Sequence, residues 1–428
     1  MYTNLLGSRS LEGNPFRLLV SNMIVHRFFP FERYENIYER CPCEIQKWFE
    51  VIVLYSITFI FNLIRFWYFR STVRDEIWDD YMVLMLSYAI NRPKFFLSIF
   101  IGFLSQGLIF YASLLVFDSN TWPDLFIPID RLNRWHQVLS AFSAKNSLNS
   151  SPLVLSFETL RKKFMIGYYT TKIWPFEVSI FITICVLVDC YIHYGRFRTE
   201  ISFWLNFIVV NSILILHMYR NEAFSASWFQ LFLQAQASFK WEYDRFKNQF
   251  KIASKISLYK EIMILQRLNQ TLNRTMLFAK KISPFICCFY YIFLIYNDMI
   301  LVLLFDKSID SFVFIMLLMF FLVSFQSVIA TLIIFTQFNT HSRLLLPEID
   351  RLLYAKCSRS NQKMQSFRKF VHSYTLPLKI SEISSRIREN RIGLSCGEMF
   401  IFTKAKILNT FGLFAINFFL VFNFFHNY

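Results

Sequence analysis

The side chains in this chain best placed to do work lie in its last long apolar run, residues 408–426. Projected as a helix at about 100° per residue, Asn409, Leu413, Ile416, Leu420, Asn423 and Asn427 fall in one stripe. That stripe is polar near both ends and aliphatic in the middle, and the other faces are largely Phe, with Asn417 off the stripe. Amides held in hydrocarbon seek partners on neighbouring helices or along a water-filled path. If identical helices surround an axis, the stripe lines a pore. Leu420 would then form a hydrophobic constriction that gates by dewetting, and Asn423 an uncharged ring that selects weakly among cations. If the helix packs within one subunit, the asparagines bond its neighbours instead. The residues alone leave both arrangements open.

No other constellation speaks for catalysis. There is no H-x-x-x-H metal pair, no Gly-rich phosphate loop and no G-x-S-x-G, and the seven His are dispersed. The eight Cys include two tight pairs, Cys41-Pro42-Cys43 and Cys287-Cys288, neither with zinc-site spacing. The expectation is a non-enzyme without cofactor or metal, and with structural free thiols.

The elements that must position the stripe are membrane spans. Of the 428 residues, 55% are hydrophobic and only 17% charged, and mean hydropathy is +0.37. Soluble domains carry about 25% charged residues. Runs of about 20 apolar residues cross a bilayer as helices. Seven are present, at 48–69, 95–117, 173–193, 202–220, 284–304, 311–337 and 408–426. The fold class is therefore all-α, a polytopic seven-transmembrane helical bundle.

The net charge of +16 fits basic cytoplasmic loops against anionic lipid better than nucleic acid. With the N-terminus inside, the inner segments carry 36 Lys and Arg and the outer segments 7. Residues 77–91 are apolar but short. Counting them as an eighth span would invert everything after them and put most of the basic residues outside. The sequons at Asn149, Asn269 and Asn273 all fall on inner segments in this topology.

The chain then divides into a cytoplasmic segment 1–47, a six-span bundle 48–337, a cytoplasmic anchor region 338–407 and the final helix 408–428. The inner stretch 221–283 lacks Pro and Gly and reads as helix throughout, with Ile252, Ile256, Tyr259, Met263, Gln266 and Gln270 approximating one face. Residues 341–395 resemble it, interrupted by Pro347 and Pro377. Helices this long need a partner for one face, so these extensions are expected to pack into a cytoplasmic core.

A G-protein-coupled receptor would need the opposite orientation. The third span lacks an acidic-Arg-aromatic triplet, and the last lacks Asn-Pro-x-x-Tyr. A transporter would show repeated halves or broken helices at mid-membrane, and the spans show neither.

Layout and one motif resemble the insect chemoreceptors of the gustatory receptor type. The family's last helix carries Thr-Tyr, five apolar residues and Gln-Phe, after a Cys-Gly-x-x-Phe-like element. Here Cys396-Gly397-Glu398-Met399-Phe400 resembles the element, and the helix reads Ile416-Asn417, then Phe418 to Phe422, then Asn423-Phe424. Thr-Tyr is lost and Asn423 replaces Gln, as in a divergent member or a gustatory receptor-like relative.

The resemblance implies a plasma-membrane, tetrameric, ligand-gated, non-selective cation channel, built from identical or related subunits. The last helix would line the pore with its gate at Leu420, and the inner extensions would anchor the subunits. It also implies a pocket for a small-molecule ligand, a tastant, in the outer half of the bundle. The candidates there are Asp189, Tyr191, His193, Trp204, Asn206, Tyr296, Asn297 and Asp298. Acids inside a membrane are costly and often functional, so Asp189 and Asp298 lead. The same fold without channel activity is the alternative.

Overall fold

A computed structural model of the chain describes residues 201–253, 258–305, 311–360, 367–389, 392–397 and 399–427. It also describes shorter stretches at 52–53, 55–64, 101, 104, 107–108, 111, 173–181 and 183–184. Six helices run through the continuous part: α1 (Ile201–Ala253), α2 (Leu258–Leu304), α3 (Ser311–Arg343), α4 (Leu346–Ser360), α5 (Phe367–Arg388) and α6 (Lys404–Asn427). A two-stranded antiparallel hairpin, β1 (Ser395–Cys396) and β2 (Phe400–Ile401), sits just before α6.

Among the described residues, three helices are long and apolar enough to cross a membrane: Glu261–Leu304, Leu317–Tyr354 and Lys404–Asn423. They carry most of the last three expected spans. A shorter apolar helix, Tyr55–Ile64, lies within the expected first span. The molecule is thus a mostly helical membrane protein.

The core forms where α1, α2 and α3 meet. Trp228 stacks on Phe285 at 4.1 Å between ring centroids, and Phe232 meets Phe335 edge-on at 5.1 Å. Further along, Phe239 packs against Phe278 and Phe338. Several polar side chains between these helices are paired, as burial in a low dielectric favours. Tyr243 Oη and Thr275 Oγ1 lie 3.0 Å apart, Thr271 donates to Glu242 at 2.8 Å, and Gln236 meets His341 at 2.9 Å.

The expected long inner helix is two helices. α1 ends at Ala253 and α2 begins at Leu258, with 254–257 outside the described residues. The face drawn through Ile252, Ile256, Tyr259, Met263, Gln266 and Gln270 therefore straddles two elements. On α2 the buried positions are Ile264, Leu265, Leu268 and Leu272, while Gln266 and Gln270 are exposed.

Pro377 does not interrupt helix as expected but lies inside α5. Pro347 sits in the first turn of α4, where its missing N–H costs nothing. The break comes instead at Leu344 and Leu345, just before α4.

α4 and α5 pair through Asp350, which accepts from Arg388 at 2.6 Å and from Ser384 at 2.9 Å. Arg386 reaches across from α5 to α2 and donates to the side-chain carbonyls of Asn269 (2.8 Å) and Asn273 (2.7 Å). Two of the three sequon asparagines thus serve as hydrogen-bond acceptors between helices. Asn149 and the segment 77–91 lie outside the described residues.

Candidate functional site

The hairpin sets where α6 begins. Its register pairs Ser395 with Ile401 and Cys396 with Phe400. Gly397 takes φ +58°, a left-handed conformation that a side chain disfavours, and Met399 N–H donates to Cys396 O at 3.1 Å to close the turn. The Cys396-Gly397-Glu398-Met399-Phe400 element is therefore a β-turn with short strands on either side. Phe402 N–H donates to Leu394 O at 2.9 Å, and Thr403 caps the new helix through Lys406 N–H.

Among the described residues, α6 touches the rest of the chain along one side. Thr410 accepts from Tyr290 at 2.7 Å. Phe418, Val421 and Phe422 pack on Met299 and Val302 together with Ile101. Phe325 of α3 packs on Phe411 and Phe414.

The stripe expected to line a pore points away from these contacts. Ile416 is 58% exposed and Leu420 63%, and Asn409, Leu413 and Asn423 are exposed as well. Asn417, off the stripe, is half-buried. A Cβ built on Gly412 would meet nothing within 4 Å. The exposed arc is wider than the stripe and includes Leu408 and Phe419. Asn427 ends the helix.

The expected ligand residues are described in part. Asp189, Tyr191 and His193 lie outside the described residues, and Trp204 and Asn206 lie on α1. Tyr296, Asn297 and Asp298 follow one another on α2. Asn297 is 1% exposed, and its amide donates to Ser324 of α3 at 3.1 Å. Asp298 is fully buried, and among the described residues neither carboxylate oxygen has a hydrogen-bond partner. An unpaired carboxyl in an apolar interior costs several kcal/mol if ionised. Asp298 therefore has two acceptor positions that no described residue fills.

The structure adds polar residues that sequence reasoning missed. Trp174 Nε1 donates to Glu222 on α1 at 2.9 Å. Tyr296 lies within electrostatic reach of Glu222, so part of the expected set does come together with this pair. His217 is fully buried, with its ring 5.3 Å from that of Tyr55 and Nδ1 3.4 Å from Thr58. An acid two residues beyond the expected fourth span was the available signal for Glu222. For His217 the signal was an ionisable residue inside the expected fourth span.

No family model and no curated protein matches the chain. Its fold is similar to that of the insect olfactory receptor OR5 from Machilis hrabei, solved in complex with eugenol. The match has a TM-score of 0.54 at 11% identity and covers 95% of this chain and 97% of that one. The two chains thus share a similar fold. The solved neighbour is an olfactory receptor, whereas the last-helix motif resembles the gustatory type.

Proposed function

We propose that the chain is a subunit of a ligand-gated, non-selective cation channel of the gustatory receptor type. In this reading it is a seven-span protein of the plasma membrane, with its N-terminus in the cytosol. Four copies, identical or related, bring their last helices together around a pore. Leu420 is the gate and Asn423 the polar ring beside it. A small-molecule tastant binds within the bundle, with Asp298 as its strongest polar contact.

The observation that carries this reading is the stripe of α6. The periodicity that marks Leu413, Ile416, Leu420 and Asn423 as one face coincides with a face that is exposed among the described residues. The fold's end-to-end similarity to an olfactory receptor supports it further. The test is membrane current in cells expressing the chain and a Leu420→Ala variant. Removing the bulk of the constriction should raise basal current, since a wider apolar ring dewets less readily.

A second reading is favoured by the loss of Thr-Tyr, where Ile416-Asn417 now stands: the fold is kept without conduction. Equal, absent currents in both proteins at matched surface expression would select it.

A further inference from the structure

We propose that Cys287 and Cys396 are a redox pair, joined by peroxide into a disulfide that latches the hairpin, and with it the root of the last helix, to α2. The hairpin is already clipped to this helix one turn earlier. Ser283 Oγ donates to Ser395 O at 3.2 Å and Gly397 O at 3.1 Å, and lies 3.0 Å from Ser395 Oγ. Cys287 is four residues on, hence on the same face of α2. Its Sγ lies 3.8 Å from where a Cβ on Gly397, the residue next to Cys396, would sit, and it is within electrostatic reach of the Cys396 thiol. Both thiols are free. Cys288, the next residue on α2, points about 100° away from Cys287 around the helix axis.

Burial sets the order of events. Cys396 is fully buried and Cys287 half-buried. Burial, with Cys287 beside it, pushes the Cys396 thiol well above its ordinary range. Cys287 is therefore the sulfur that a small oxidant reaches first. Hydrogen peroxide transfers one oxygen to the Cys287 sulfur; its O–O bond breaks, a sulfenic acid forms and water leaves. The Cys396 sulfur then attacks the sulfenic sulfur. The S–S bond forms, the S–O bond breaks, and the thiol proton departs with hydroxide as a second water. Two thiols lose two electrons, and one peroxide is reduced to two waters. A reducing cytosol holds the pair as thiols until such a pulse arrives.

The latch itself does not depend on the channel reading; only its effect on current does. The test treats the full-length chain in membranes with hydrogen peroxide, blocks remaining thiols with N-ethylmaleimide and maps non-reduced peptides by mass spectrometry. A linked Cys287–Cys396 peptide pair should appear, vanish on reduction with dithiothreitol, be absent in Cys287→Ser and persist in Cys288→Ser. Equal maleimide labelling of both cysteines with and without peroxide would overturn the latch, as would a link through Cys288. Under the channel reading, peroxide should alter current in the wild type, reversibly with dithiothreitol, and not in Cys287→Ser. A chain that forms the link yet carries no current under any condition counts against the channel, not the latch.

Discussion

The helix that anchors the core and the helix that ends the chain are built from similar residues and held in opposite ways. In α2, 53% of the apolar window is buried within the chain, and in α6 only 6%. Phe285 of α2 is 1% exposed and stacked between Trp228 and Phe232. Leu420 of α6 is 63% exposed. Both helices are rich in Phe and Leu, so hydrophobicity does not distinguish them. The difference lies in whether an apolar face has a partner in its own chain. Among the described residues, α6 is seated on one side and leaves the other free to meet further surfaces.

Mutations can sharpen this contrast. The largest effect should come from Phe285→Ala, which leaves a cavity among stacked rings. About 3 kcal/mol of stability should be lost, read as a lower midpoint in detergent thermal unfolding. A shift no larger than that of a surface variant would show that the α1–α3 junction is not the core. Asp298→Leu should act in the opposite sense. It removes a buried carboxyl that no described residue pairs, so roughly 1–2 kcal/mol of stability should be gained, while any ligand response is lost. Destabilisation by this variant would mean that the acid is held by the chain after all.

Arg386→Ala should cost about 1 kcal/mol, because it leaves Asn269 and Asn273 without their donor at a site open enough for water to compensate. Proteolysis between α2 and α5 would report the loosening. Leu420→Ala should have the smallest effect on stability, within about 0.5 kcal/mol, even as it raises basal current. A large loss of stability there would mean that the stripe is core and would break the comparison.

Much of this was readable from local pattern. The α6 stripe is a matter of helical period, so Leu413, Ile416, Leu420 and Asn423 could be grouped without coordinates. The Cys396–Phe400 element could be noticed, but not that it is a hairpin, because that depends on Gly397 adopting a positive φ. Asn269 and Asn273 looked like sequons. Their partner Arg386 is more than a hundred residues away, and no local rule links them. Glu222 and Trp174 are likewise distant in sequence and meet only through packing. That 221–283 spans two helices was missed because no Gly or Pro marks the boundary, and the contacts that pair them, such as Tyr243 with Thr275 and Phe239 with Phe278, are non-local. Pro377 misled in the other direction. One missing hydrogen bond in α5 is outweighed by the burial of Ile380, Ile383 and Ile387.

Sequence by itself determined that the chain is helical and lives in a bilayer. Apolar length and the scarcity of charge are local properties that no packing can reverse. It also determined which face of the last helix is distinct, since side-chain direction follows directly from the helical period. Tertiary structure alone decided that this face is turned away from the other described residues, that none of them pairs with the buried Asp298 and that Cys287 lies against the turn beside Cys396. Each of these depends on which distant surfaces meet, and that is a property of the packed bundle rather than of any one segment.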